Sequence, residues 1–286
     1  MLKKILVGFV ILLLGWSLLL KFLPADIDTT QNQWNGNLIK AEAYLFERPL
    51  LSNSAVILGS SMSARIPIAK TNDSLINLAF GGFSAYDGLE LVMTKAQKPT
   101  IVYIETNTIL NEPSEEFHQA VFSPVRYRLK SVFAALLTKN QPVAVLKGLI
   151  RYKKGGRTKV SALPLRDPPP GVNQTILGNS IKQYATCPSD TFITARLTEL
   201  ATFIHALEEN SCKVVFFEMP VHPALCQSAL SIRVREALYK RFPRERYTYI
   251  PQPGCAQFHT TDGIHLTGAS AALYADYFQK VPVFHK

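Results

Sequence analysis

Near the carboxyl end the chain reads Thr261-Asp262-Gly263-Ile264-His265-Leu266-Thr267. An Asp three residues before a His, just ahead of a helix, can set a carboxylate against an imidazole. The carboxylate then selects the ring tautomer and stabilises the imidazolium, and the imidazole becomes a general base. Such pairs also arise by chance, so this one gains meaning only beside a nucleophile. Leu58-Gly59-Ser60-Ser61-Met62-Ser63 supplies a candidate serine, at a tight turn directly after an apolar run. To attack a carbonyl carbon, a serine needs both a base and an oxyanion hole. Gly82 can offer a backbone N–H that a ligand can approach closely, because no side chain covers it. Asn107 can offer a side-chain NH₂; capping a strand end is its other reading.

These residues need a frame that gathers them. Residues 54–58, 74–78, 100–104, 213–217 and 247–250 read as short buried strands bounded by turn signals. Residues 38–46, 84–97, 192–209 and 267–279 read as helices, with Thr267 as an N-cap. Apolar strands alternating with amphipathic helices predict a parallel sheet covered on both faces. In such sheets the ligand site lies beyond the carboxyl ends of the strands. Ser60, Ser61, Gly82, Glu105, Thr106, Asn107 and Glu218 all fall there. For Glu105 and Glu218, ordinary hydrogen-bonded or solvated carboxylates are preferred over pocket-forming ones. His222, in Met219-Pro-Val-His-Pro223, borders the same region but is read as non-catalytic.

At this point the chain resembles the SGNH (GDSL-type) hydrolases. Gly-Ser-Ser-Met-Ser at 59–63 is similar to the family's first block. Asn77-Leu-Ala-Phe-Gly-Gly82 is similar to the second, Glu105-Thr-Asn107 to the third, and Asp262-Gly-Ile-His265-Leu-Thr267 to the fifth. The blocks stand in the family's order across residues 55–278. The resemblance implies that Ser61, not Ser60, is the nucleophile, with His265 as base and Asp262 as its orienter. It further implies an oxyanion hole from the Ser61 N–H, the Gly82 N–H (rather than that of Gly81) and the Asn107 side chain. The fold expected is α/β: a three-layer α/β/α sandwich around a mostly parallel, five-stranded, flavodoxin-like sheet. No cofactor is implied. The chain departs from the family in three places. Ser60 replaces the usual Asp, Glu105 the usual Gly, and Thr108 the usual Asp after the asparagine.

The remaining composition sets bounds. Over 286 residues, 47% are hydrophobic and 18% charged, which excludes a mostly disordered chain. A single long apolar run excludes a polytopic membrane protein. That run, Ile5 to Leu20, follows Lys3-Lys4 and nearly spans a bilayer if Lys21 snorkels and the span reaches Leu23. It predicts an amino-terminal signal-anchor over residues 1–25, Lys-Lys on the cytoplasmic side, and an exported domain over 26–286. A cleaved signal peptide is the competing reading, but no convincing small-x-small site follows the run. The periplasmic side of a bacterial inner membrane is the expected location. Cys187, Cys212, Cys226 and Cys255 then permit up to two disulfides in three connectivities, or buried free thiols. No cysteine or histidine spacing supports a metal site.

The net charge of +10 is concentrated. Residues 126–166 carry eleven Lys/Arg and no Asp/Glu, which leaves the rest of the chain at −1. This segment lies in a stretch, 112–190, that breaks the strand–helix rhythm and reads as an insertion with helices near 127–138 and 142–153. Basic amphipathic helices of this kind can contact anionic lipid or an acidic polymer; a solvated basic lid is the plainer reading. Nucleic acid is disfavoured for an exported segment without a recognisable binding module.

A Gly-Ser-Ser block behind an anchor resembles the envelope-associated branch of the family, which acylates or deacylates cell-surface polymers, often beside a membrane-bound O-acyltransferase. The resulting expectation is a serine esterase or acyltransferase acting on an O-acylated, in the first instance acetylated, envelope glycan through an acyl-Ser61 intermediate. Two rivals stand beside it. One is a membrane-docked lipase or lysophospholipase-type hydrolase. The other is a non-catalytic glycan-binding or scaffold protein that partners a membrane O-acyltransferase.

Overall fold

The structure, a computed structural model, describes residues 1–24, 27–68, 74–154 and 172–280. In chain order they form helices α1 (Leu2–Leu20) and α2 (Gln33–Glu42), strands β1 (Ala55–Leu58) and β2 (Leu75–Asn77), helix α3 (Ala85–Thr94) and strand β3 (Ile101–Glu105). Five helices follow: α4 (Glu115–Phe122), α5 (Pro124–Val132), α6 (Pro142–Lys153), α7 (Gln174–Tyr184) and α8 (Asp190–Glu209). The chain then makes β4 (Lys213–Phe217), α9 (Pro223–Cys226), α10 (Ala229–Arg241), β5 (Thr248–Tyr249) and α11 (Gly268–Lys280). Two compact units result: residues 1–48 with 115–161, and residues 49–114 with 162–286.

The second unit holds the sheet. Its five strands are all parallel, in the order β2-β1-β3-β4-β5, with Ile57 beside Tyr103 and Tyr103 beside Val215. Every residue of β1 is buried, as are four of the five in β3 and in β4, so these strands are unbroken apolar runs rather than alternating ones. On one face Tyr103 and Phe217 meet Phe278 of α11, ring centroids 5.1 and 5.2 Å apart. Against Leu58 lies α3, whose Gly88 permits a close approach. A Cβ at Gly88 would come within 2.9 Å of a Leu58 methyl. The start of α3 is fixed by a capping box, in which the Asp87 carboxylate accepts the Ser84 N–H at 2.9 Å.

The first unit is helical. The Lys3–Leu20 stretch of α1 is long and apolar enough to cross a membrane, and none of it is buried. Near its end, the Trp16 indole N–H donates to the Asn140 carbonyl at 2.9 Å. Glu42 of α2 is buried and accepts three hydrogen bonds: from Lys130 Nζ (2.5 Å), Thr138 N (2.6 Å) and Thr138 Oγ1 (2.6 Å). Paired in this way, a buried carboxylate can hold three segments together.

The strands expected from sequence all form: β4 as read, β3 shifted by one residue, and β1, β2 and β5 a little shorter than read. The helix expected near 127–138 stops at Val132, where Phe133 turns extended. Helices α4, α7, α9 and α10 were not anticipated: their apolar positions are few or interrupted. The expected insertion, 112–190, divides differently from its reading. Its first part belongs with the amino-terminal residues, whereas α7 belongs with the sheet. Residues 155–171, which include the end of the basic segment and Asp-Pro-Pro-Pro-Gly, lie outside the described residues, as do residues 25–26 at the expected anchor boundary.

Of the connectivities left open by the sequence, one disulfide forms, Cys226–Cys255; Cys187 is an exposed thiol and Cys212 a buried one. Maleimide should therefore label Cys187 alone in the native protein, Cys212 as well on unfolding, and all four cysteines only after reduction. The bridge closes a loop of 29 residues. Loop-closure entropy of that size gives about 3–4 kcal/mol, so reduction should lower the unfolding free energy by roughly that amount. Counting labels by mass spectrometry and comparing urea melts with and without reductant checks both.

Candidate active site

The turn after β1 is shaped by Glu105, the last residue of β3. Its side chain is fully buried. Oε2 accepts the Ser60 N–H (3.0 Å), the Ser63 N–H (3.1 Å) and the Ser63 hydroxyl (2.5 Å). Oε1 accepts the Ser60 hydroxyl at 2.6 Å and, more weakly, Thr108 Oγ1 at 3.4 Å. The carboxylate is thus surrounded by donors, which is how such a group can be buried at all. Close approach requires Gly59, where a Cβ would fall 2.3 Å from Ser63 Oγ and 2.5 Å from Glu105 Oε2. With Ser60 and Ser63 turned inward, Ser61 is left facing out and partly exposed.

Ser61 Oγ lies 2.7 Å from His265 Nε2, and His265 Nδ1 lies 2.7 Å from Asp262 Oδ2. With Asp262 accepting from Nδ1–H, Nε2 is left to accept the Ser61 proton. The three-residue spacing is local geometry. Asp262 Oδ1 accepts the N–H groups of Ile264 (3.0 Å) and His265 (2.8 Å), folding the segment back on itself. A bridge between Thr260 and Leu266 and a bond from Thr261 N to His265 O (2.8 Å) close this clasp. Gly263 sits at its tip with φ 96°, where a Cβ would also strike Leu177 of α7 at 2.7 Å. Partial burial pushes the Asp262 carboxyl up. Bonds from the His265 ring and backbone, the imidazole's charge and the Ile264 N–H outweigh it and hold the group well below the usual carboxylate range. With its folded pKa depressed, Asp262 contributes stability above the ordinary carboxylate pKa, and loses it only as pH falls through the lower folded value.

The other sequence candidates are distributed around this core. Gly82 is exposed in the turn after β2 with φ 81°, a conformation that favours glycine, whereas Gly81 is buried. Asn107 is tied to the segment after β4 rather than bonded to Ser61 or His265. Its Nδ2 donates to Met219 O (3.0 Å) and its Oδ1 accepts Met219 N–H (2.7 Å). One hydrogen of that amide remains for another acceptor. Thr106 bonds to the Phe217 carbonyl through both N–H and hydroxyl. Glu218 forms a two-pronged ion pair with Arg235, at 2.7 and 2.8 Å. His222 caps α9, its Nδ1 accepting the Ala224 N–H, and its backbone N–H donates to Gly263 O (2.8 Å). It supports the clasp without reaching the serine.

Glu105, read from sequence as a hydrogen-bonded or solvated carboxylate, is a fully buried, hydrogen-bonded one. Two contributors escaped the sequence reading. Tyr184, at the end of α7, has its phenol pushed up to about 12 by burial and by the charges of Glu105 and Glu218. Arg65, half-buried just past Ser61, is lowered by burial and partly restored by the charge of Asp262, so a cation stands near the dyad. Helix α7 also backs the clasp, since Asn173 N–H donates to Thr261 O at 3.0 Å.

Chemically, the arrangement is a carboxylate, an imidazole and a hydroxyl in one hydrogen-bonded line, able to carry a proton away from Ser61. Among the described residues, no three His, Cys, Asp or Glu side chains cluster as a metal site. No known family model matches the chain, and no curated protein does.

Two substitutions test this geometry. Glu105→Gln presents an NH₂ to the donors of Ser60 and Ser63, and should lower stability by about 1–3 kcal/mol. It should also slow phosphonylation of Ser61 by a fluorophosphonate probe without shifting the pH profile, as expected of a positioning residue. Gly263→Ala should destabilise by about 1–3 kcal/mol, because it combines a positive φ with a clash at Leu177. Thermal unfolding and probe-labelling rates read out both.

Proposed function

We propose that this protein is a membrane-anchored serine esterase or acyltransferase acting on an O-acylated, most simply acetylated, glycan of the bacterial envelope. The observation that carries the reading is the continuous Asp262–His265–Ser61 line, with both ring contacts at 2.7 Å. A scaffold protein has no need for that alignment, and the resemblance to SGNH hydrolases names the same three residues. The strand order 2-1-3-4-5 is the flavodoxin-like order. Helices against opposite sides of the strands fit a three-layer sandwich. The candidate residues follow the carboxyl ends of β1, β2 and β3, where such sheets bind ligands.

In the proposed reaction, Ser61 Oγ attacks the acyl carbonyl while His265 Nε2 takes its proton, and Asp262 stabilises the imidazolium. The carbonyl oxygen becomes an oxyanion, for which the N–H groups of Ser61 and Gly82 and the free Asn107 hydrogen are the proposed donors. The C–O bond to the sugar then breaks as His265 returns the proton to the leaving alcohol, giving an acyl-serine and a free hydroxyl. Water or a second sugar hydroxyl, deprotonated by His265, attacks the acyl-serine and releases Ser61. Exclusion of water from that intermediate separates transferase from hydrolase.

A small cavity lies beside Asn107. Its volume is ≈ 60 Å³, and its walls combine Leu110, Leu230 and Val234 with Tyr184, Glu218 and Arg235. Export of the sheet-bearing unit follows from Lys3-Lys4 ahead of α1 and fits the Cys226–Cys255 bridge.

The full-length protein and Ser61→Ala should be exposed to a fluorophosphonate probe and to p-nitrophenyl acetate. Labelling and turnover are expected for the parent and lost in Ser61→Ala. Asp262→Asn, which disturbs the tautomer, should keep the fold but lower kcat by about 10³–10⁴. A folded parent that takes no probe, alone or with its native membranes added, would transfer the reading to the scaffold.

A further inference from the structure

The helical unit leaves large apolar side chains of two helices in water. On α5, Val125, Leu129 and Val132 recur at helical spacing on one side, with Phe133 just beyond the helix end; all are exposed, Val125 and Val132 by 68% and 72%. On α6, Val143, Leu146 and Ile150 do the same, the first two exposed by 59% each. The short turn between these helices, Ala134–Leu136, packs against α1. Soluble proteins rarely expose so many large apolar side chains together unless something covers them.

Charge flanks the same surface. Arg126 and Arg128 lie on either side of the apolar stripe of α5, and Lys147, Lys153 and Lys154 lie on the exposed side of α6. Lys130 and Lys139 pair with Glu42 and Glu47. For Arg126, Arg128, Lys153 and Lys154 no ion pair occurs among the described residues. Residues 126–154 contain no Asp or Glu at all.

A bond within the same unit says what covers this surface. The Trp16 indole, one turn before the end of α1, donates to Asn140, two residues before α6 begins. If α1 spans a bilayer, Trp16, Lys21 and the exposed Phe22 mark its outer boundary, where Trp and Lys concentrate. Asn140, and with it the base of α6, then stands at headgroup depth. The strip from Ile27 to Gln31 runs under α6 and pins it there. The chain at Ile27 and Asp28 lies so close to Gly148 that a Cβ would meet an Ile27 methyl at 2.6 Å, and Arg151 donates to the Asp28 carbonyl at 2.7 Å.

We propose that α5, the turn after it and α6 form a monotopic docking face that lies in the outer interface of the bilayer that α1 crosses, with apolar side chains in the acyl boundary and the flanking Arg and Lys on anionic headgroups. An acidic polysaccharide would engage the cations but leave seven large apolar side chains in water. A bilayer satisfies both, and α1 already brings one to the spot. The inference rests on α1 as the membrane span and is independent of the acyl-serine chemistry.

The test uses the full chain, with Cys187→Ser to remove the exposed thiol, reconstituted into vesicles of phosphatidylcholine with phosphatidylglycerol. Single cysteines at Leu129→Cys and Leu146→Cys, and at Ser131→Cys on the opposite side of α5, carry an environment-sensitive fluorophore. All three positions are exposed, so the labels leave the core untouched. The labels at 129 and 146 should emit to the blue of that at 131, be quenched by a lipid carrying a nitroxide near its headgroup, and lose quenching by aqueous iodide. The label at 131 should stay open to iodide. Vesicle flotation reports α1 insertion separately. Floating protein whose labels at 129 and 146 are as open to iodide as that at 131 would overturn the proposal. So would protection that appears only in native membranes and not in pure lipid, which would assign the face to a membrane protein instead.

Discussion

A carboxylate buried at the end of the central strand organises the region around the candidate nucleophile. Glu105 receives two backbone N–H groups and two hydroxyls from Ser60 and Ser63. An unpaired carboxylate in such a place would be costly enough to disrupt the fold. A paired one becomes a fixed point to which the turn must conform. Because Ser60 and Ser63 are drawn inward, Ser61 is turned toward the imidazole. The need for Gly59 follows from the same contact, since no side chain fits between β1 and the carboxylate. Ser60 and Thr108 both place a hydroxyl on this carboxylate, so the three side chains form one hydrogen-bonded group.

The imidazole is held by a different device, and one that is almost entirely local. Asp262 both folds its own loop, through the Ile264 and His265 N–H groups, and orients the ring. A single side chain thus couples backbone shape to tautomer choice. The loop gains its external support from α7 and from the segment after β4, through Leu177, Asn173 and His222. The two halves of the site share the core and meet directly at Ser61 Oγ and His265 Nε2. Errors in either half propagate to that one contact.

The helical unit follows a second logic, set by solvent rather than by chemistry. Glu42 ties α2, α5 and the segment before α6 into one body, so the faces of α5 and α6 cannot simply turn inward to hide their apolar residues. Whatever covers them must come from outside the unit. The same basic segment looked from sequence like a lid, a polymer site or a lipid site. Its tie to α1 through Trp16 is the observation on which the proposed lipid contact rests.

Much of this was legible in the residues. Continuous apolar runs such as Ala-Val-Ile-Leu at 55–58 and Val-Val-Phe-Phe at 214–217 suffice to define buried parallel strands, because each side chain meets core whichever face it points to. The Asp262–His265 pair and the 84–97 helix were equally readable, since their bonds join residues within a turn of each other. The sequence could not choose between Ser60 and Ser61 on local grounds, or see that Asn107 spends one amide hydrogen on Met219. It could not see that α7, which read as part of an insertion, braces the clasp. It left three disulfide connectivities open where the structure forms Cys226–Cys255. Each of these depends on partners 40 to 200 residues away or on a loop closed by the whole fold. Local sequence determines short-range hydrogen bonding and burial pattern. Which of two adjacent hydroxyls meets a distant imidazole is decided only when the sheet brings β1, β3 and the final loop together.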